Sequence, residues 1–309
     1  TAPFFYLFLG FIAWVFGAGS PSIKVIETVG AYVPAILGAL ITIPVYFIGK
    51  ELFNKKAGLL AAALIAILPG QFLWRSMLGY PDYHVAETLL SAVTMLLLIL
   101  AVKSSKRTGI SFNSLLMRDW VSLRKPLLYS LLTGIALGCY LLTWTEGALL
   151  VFIIFVYVIV QYIIAHLKGK STDYLCIIGV ISLVIAMLIL LPSWGKYTLW
   201  NIQFASLLIS IIALLVMSGV SSLMTKRRIK QAYYPLGLAV LAGIGLAFFY
   251  LIDPSLLNSI LDRSGLLFPN GAIGTIWEAR PLSLSYIWSN FTTGFYLALI
   301  SLIVVAYLA

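Results

Sequence analysis

The sequence predicts an all-α, polytopic membrane protein, and two observations carry that expectation. Hydrophobic residues make up 62% of the chain and charged ones 10%, whereas a soluble domain carries roughly a quarter charged residues. A water-soluble fold has no way to hide that much apolar surface. The apolar stretches also recur along the whole chain at near-bilayer length, which excludes a single anchor or a cleaved leader as their source.

Taken in order, the run 4–17 (FFYLFLGFIAWVFG) is a first apolar helix. At ~1.5 Å per residue it is short for ~30 Å of hydrocarbon, so it reads as interfacial or re-entrant. Spans follow at 31–49, 57–73, 85–102, 127–143, 147–165, 174–192, 203–220, 234–252 and 286–308, giving about nine to ten apolar helices. Residues 1–30 then read as the remainder of a first external loop, and 253–285 as a long external connection. Its DPS, RSG, FPNG and ARP punctuation argues against a continuous helix, and a long structured loop on one face is a functional hint. Cys139 and Cys176 fall in expected spans, where small buried apolar side chains are the natural reading. The chain starts at Thr1 inside one apolar run and ends at Ala309 inside another; the expectation is a transmembrane piece of a longer protein.

Charge orients these spans. Counting alternately from 31–49, the connections 50–56, 103–126, 166–173 and 221–233 carry fifteen of the twenty basic residues, which the positive-inside rule places in the cytoplasm. Lys24, Arg75, Lys196, Arg263 and Arg280 fall on the outer side, together with seven of the ten acids: Glu27, Asp82, Glu87, Glu146, Asp253, Asp262 and Glu278. A net charge of +10 distributed in this way reports orientation in a membrane rather than a nucleic-acid partner.

One external connection, WRSMLGYPDYHVAETLL, gathers Arg75, Asp82, His84 and Glu87. Ionisable groups at a membrane boundary are costly unless hydrated, paired or metal-bound. Asp82 and His84 would diverge by about 200° on a regular helix, but an extended turn after Pro81 lets both point at one ion. An oxygen with an imidazole suits Mn²⁺ or Mg²⁺ when further oxygens join them. The competing reading makes Asp82 a helix cap, with His84 and Glu87 in a solvated first turn. In the long external loop, GTIWEARPL holds Glu278 and Arg280. Both acidic clusters lie on one membrane face, under a charge count that used neither of them. The expectation is that Asp82, His84 and Glu278 meet in one external site.

These residues resemble the motifs of a known family, the catalytic subunit of oligosaccharyltransferase in its archaeal form. RSMLGYPDYH is similar to the family's R-x-M-x-G-Y-x-D-x-[DH], and TIWE at 275–278 to its TIxE. The resemblance covers most of the chain and implies a GT-C glycosyltransferase type of fold with a soluble C-terminal domain. It implies a multi-pass cell-membrane enzyme, with its active site on the extracytoplasmic face. Such an enzyme moves an oligosaccharide from a dolichyl-phosphate or diphosphate donor onto Asn of Asn-x-Ser/Thr. By the same resemblance Asp82 and His84 would ligate Mn²⁺ or Mg²⁺, Glu278 would hold the acceptor amide, and Arg75 would support the acidic site. Thr275 joins the substrate-binding set through its motif, and Arg263 and Arg280 are placed to counter phosphate charge. The implied partners are a lipid-linked oligosaccharide, an acceptor polypeptide and membrane lipid. The family's first acidic motif, D-x-D, and its W-W-D-Y-G motif are expected outside residues 1–309. Two rivals remain at this point. Another polyprenyl-phosphate-sugar glycosyltransferase would lack the pairing of RSMLGYPDYH with TIWE, and a secondary transporter would want its charges near mid-membrane.

Overall fold

The structure, a computed structural model, describes residues 4–144, 146–192, 202–252, 285, 287–288 and 293–308. All regular elements among them are helical. The chain divides into two compact units, one of Thr1–Ile67 with Phe72–Tyr234 and the other of Leu68–Gln71 with Pro235–Ala309.

In the first unit α1 (Phe4–Phe16) is a 13-residue helix, as short as the sequence suggests. Helix α2 (Ile23–Leu40) begins at Ser22, whose hydroxyl accepts the Val25 N–H, and α3 (Thr42–Leu52) continues it. Together they form one apolar stretch of 30 residues, Ile23–Leu52, with a break at Ile41 where Pro44 withholds an amide from the preceding turn. The expected span therefore starts earlier than residue 31. Lys24 and Glu27 end the apolar run in the sequence, but nothing in them stops a capped helix.

Helix α4 (Lys55–Ile67) has 13 residues, about 20 Å. The continuous span expected at 57–73 is instead cut after Ile67, where Pro69 biases Leu68 away from helix and Gly70 adopts φ 153°. A short α5 (Gln71–Arg75) follows. Then α6 (His84–Thr108) runs to Gly109 in the left-handed conformation, the residue best suited to that helix end. A five-residue α7 (Phe112–Leu116) precedes α8 (Trp120–Thr143), α9 (Ala148–Leu167), α10 (Asp173–Leu190) and α11 (Ile202–Lys226). Six stretches among the described residues are long and apolar enough to cross a membrane: α2 with α3, then α6, α8, α9, α10 and α11. Helix α12 (Tyr234–Ile252) fills the span expected there, and α13 (Thr293–Leu308) part of the last one.

Small residues let the first unit close. A Cβ at Gly134 of α8 would sit 2.5 Å from the Ser182 carbonyl oxygen of α10, and one at Gly138 would sit 2.8 Å from Ile189 Cβ. This is the small-xxx-small spacing that brings membrane helices into backbone contact. Ser182 Oγ then donates to the Ser130 carbonyl across the same seam at 3.0 Å.

Long-range polar bonds tie the basic connections together at one end of this unit. Lys103 Nζ donates to Glu51 at both its carbonyl (2.6 Å) and its carboxylate (2.9 Å). The Phe112 N–H reaches the Asp173 carboxylate, and Ser221 Oγ bonds both His166 Nδ1 and Thr172 Oγ1. The connections 50–56, 103–126, 166–173 and 221–233 thus share one end, as the charge count requires.

Candidate functional site

The opposite end of the first unit carries the acidic turn. Helix α6 starts at His84, and Lys103 lies 19 residues along it, about 28 Å at ~1.5 Å per residue. Two things fix the turn that precedes it. Segment 76–81 lies against α2: the Gly79 N–H donates to the Ala31 carbonyl at 3.0 Å, and Gly38 approaches Ser76 so closely that a Cβ there would sit 2.5 Å from the Ser76 Cβ. Beyond it, Val85 (0% exposed) and Ala86 (7%) plug the first turn of α6 into an apolar cluster with Phe5, Val29, Val33 and Leu37. These apolar neighbours hold both ends of the dipeptide Asp82–Tyr83, leaving its polar groups to face one another.

Arg75 Nη1 donates to Asp82 Oδ2 at 2.7 Å, with side chains only 25% and 19% exposed. His84 Nε2 lies 4.0 Å from the same Asp82 oxygen. The other ring nitrogen, Nδ1, is 2.8 Å from Glu87 Oε2. Tyr83 stacks obliquely on the imidazole, ring centroids 4.3 Å apart. Burial pushes the Tyr83 hydroxyl above the ordinary phenol range, and the carboxylates of Asp82 and Glu87 push the same way, so it stays neutral.

This geometry separates the two readings of the turn. The N-cap of α6 is Tyr83, and it makes no side-chain cap bond. Asp82 Oδ1 reaches the His84 N–H only at 3.5 Å, so its short bond goes to Arg75 and not to the helix end. Asp82 and His84 are brought together as the turn after Pro81 suggests, and Arg75 joins them as the motif resemblance implies. Glu87, which the competing reading leaves in a solvated first turn, is bonded to His84; its position one helical turn on is the signal that could have given it a place in the site. Thr275, Glu278, Arg263 and Arg280 lie outside the described residues, so the meeting of Glu278 with Asp82 and His84 does too.

A carboxylate oxygen and an imidazole nitrogen 4.0 Å apart are spaced so that one cation can contact both. Hard divalent ions demand more ligands than two, and among the described residues no group of three or more His, Cys, Asp or Glu side chains is placed to hold a metal. The residues present therefore fit as part of such a site.

A multi-pass helical membrane protein with an acidic turn at one end and its basic connections at the other is the class these features define. The chain belongs to the family described as oligosaccharyl transferase STT3, N-terminal, whose model matches residues 2–243. It is 29% identical over 290 residues to the dolichyl-monophosphooligosaccharide-protein glycotransferase AglB of Haloferax volcanii, covering 90% of this chain and 27% of that protein. It is 27% identical over 303 residues to dolichyl-phosphooligosaccharide-protein glycotransferase 3 of Archaeoglobus fulgidus, covering 91% of this chain and 33% of the relative. The fold matches that of the archaeal oligosaccharyltransferase AglB from A. fulgidus in complex with an inhibitory peptide and a dolichol-phosphate. That match has a TM-score of 0.81 and 25% identity over 99% of this chain and 36% of the other. The chain thus spans about 27–36% of the length of these relatives.

Proposed function

We propose that this chain is the membrane part of a metal-dependent oligosaccharyltransferase, which moves a glycan from a dolichyl-phosphate or diphosphate donor to Asn in Asn-x-Ser/Thr. The observation that carries the reading is the Arg75–Asp82–His84 constellation, found at the end of the bundle away from the basic connections in a chain of this family. Positive-inside orientation makes that end extracytoplasmic.

In this mechanism Asp82 and His84 would hold Mn²⁺ or Mg²⁺, which when bound would supply Lewis-acid stabilisation to the leaving phosphate. Arg75 keeps the Asp82 carboxylate turned toward His84 through its 2.7 Å bond. The acceptor is an amide nitrogen whose lone pair is delocalised into its carbonyl. Glu278 accepts its N–H bonds and favours a twisted, more nucleophilic amide. Arg263 and Arg280 would counter the charge of the donor phosphate, and Thr275 would join the substrate-binding set through its motif. The polyprenyl tail stays in hydrocarbon while its phosphate reaches the interface, which is why the chemistry sits at the end of a helical bundle. The dolichol-phosphate and inhibitory peptide held by the A. fulgidus protein support this pair of ligands.

The test is glycan transfer by the full-length protein, with donor lipid and acceptor peptide. Asp82→Ala should lose more than the roughly 10–100-fold that removal of a metal ligand's neighbour costs, and Glu278→Gln should lower turnover. Undiminished transfer by Asp82→Ala defeats the reading, and undiminished transfer by Glu278→Gln removes Glu278 from the mechanism.

A further inference from the structure

The proposed ligand pair leaves one short contact unused. Glu87 Oε2 lies 2.8 Å from His84 Nδ1, one helical turn along α6, with the two side chains 19% and 31% exposed. An imidazole that ligates through Nε2 must carry its proton on Nδ1, and something has to fix that choice. On its own helix the backbone permits little drift. The Glu87 N–H bonds the Tyr83 carbonyl at 2.9 Å and Thr88 Oγ1 the His84 carbonyl at 2.8 Å. Val85 and Ala86 between them are buried. Across the ring Tyr83 packs at 4.3 Å between centroids, so the imidazole sits between an aromatic face and a carboxylate, with Nε2 turned to Asp82 at 4.0 Å.

We propose that Glu87 is a positioning residue of this site. Its carboxylate accepts the Nδ1–H of His84, selecting the tautomer and ring orientation in which the Nε2 lone pair is presented beside Asp82. The proposal rests on the reading of Asp82 and His84 as cation ligands. It adds a residue that neither the sequence motif nor the spacing of the pair supplies. A merely structural Glu87, acting as an acid near the start of a helix, would change the stability of α6 and leave cation affinity alone.

The experiment is Mn²⁺ titration of the full-length protein in detergent, followed by electron paramagnetic resonance of the free ion, with the thermal midpoint of each variant measured alongside. His84→Ala should weaken binding. Glu87→Ala should weaken it by about 10–100-fold, the range for the outer partner of a ligating histidine. Glu87→Gln should restore most of that loss, because its amide oxygen accepts the same N–H without the charge. If Glu87→Ala binds Mn²⁺ like the unaltered protein while His84→Ala does not, the positioning role is overturned and the ligand pair stands. If Glu87→Gln is as weak as Glu87→Ala, the residue acts by charge and the hydrogen-bond proposal is overturned. If His84→Ala itself binds normally, the cation reading of the pair falls first and takes this one with it.

Discussion

Gly38→Ala, far from the reacting groups in sequence, should damage the site. A Cβ on α2 at that position would sit 2.5 Å from the Ser76 Cβ, 3.2 Å from its Oγ and 3.7 Å from its Cα, where carbon atoms prefer about 3.5–4.0 Å. The obstacle is attached directly to backbone, so relief means moving the segment by about 1 Å rather than rotating a side chain. Overpacking of this kind costs about 1–3 kcal/mol, while alanine gains about 0.8–1 kcal/mol over glycine inside a helix. The net expectation is a loss of up to about 2 kcal/mol. The displaced segment leads from Arg75 to Asp82, and a misplacement of about 1 Å in a catalytic array can cost about 100-fold in rate. Ser76→Gly alone should cost about 0.5–1.5 kcal/mol, through its lost 2.9 Å bond to the Leu73 carbonyl. In the double variant the two changes should compensate, because one removes the atom that the other strikes. The assay is a double-mutant cycle on the full-length protein, read by thermal midpoint in detergent and by transfer rate. Coupling of about 1 kcal/mol or more is expected; additivity within about 0.5 kcal/mol would refute the contact and the positional argument built on it.

Three further outcomes follow from packing and charge. Gly134→Ala places a methyl 2.5 Å from the Ser182 carbonyl oxygen and 2.6 Å from Ile185 Cβ, and should lower stability by about 1–2 kcal/mol. Gly219→Ala on α11 meets nothing within 4 Å and should raise stability by about 0.5–1 kcal/mol, both read as shifts in thermal midpoint. Lys103→Met removes the bond to Glu51, a pair with side chains 37% and 23% exposed; the loss should be no more than about 1 kcal/mol and should shrink as salt is raised.

What the sequence discloses is set by how local the determinants are. The spans were readable because hydrophobicity is a sum over neighbours in the chain, and the sharing of one end by the basic connections followed from charge alone. The boundary errors have local causes of another kind. Ser22 starts a helix through a single hydroxyl, ahead of the apolar run, and Pro69 with Gly70 interrupts a stretch whose mean hydropathy conceals the break. Asp82 and His84 were legible because a turn after Pro81 suffices to bring them together, and Arg75 because the stretch RSMLGYPDYH resembles a family motif. The cradle that holds them was not, since Gly38 and Ser76 carry no mark in sequence that they touch. Glu87 was misjudged because an acid in a helix's first turn is satisfied by the helix itself; only the ring orientation of His84 shows that its carboxylate is engaged elsewhere.

The placement of charge along the bundle bears on the choice between an enzyme and a carrier. The described ion pairs of the first unit fall at its two ends. Arg75, Asp82, His84 and Glu87 lie at one, and Lys103 with Glu51 at the other. Between them, along roughly 28 Å of α6, the helix carries Leu, Ile, Val, Ala, Met and small hydroxyl residues, with Thr94 returning its hydroxyl to its own backbone at Leu90. A transporter that passes a polar solute needs groups near mid-membrane to replace the solute's water. A transferase acting on a lipid-borne phosphate needs them only where the head group meets water. The charged groups of the described ion pairs lie where the proposed transferase chemistry needs them, and the small-residue seam of α8 and α10 locks the bundle that holds them there.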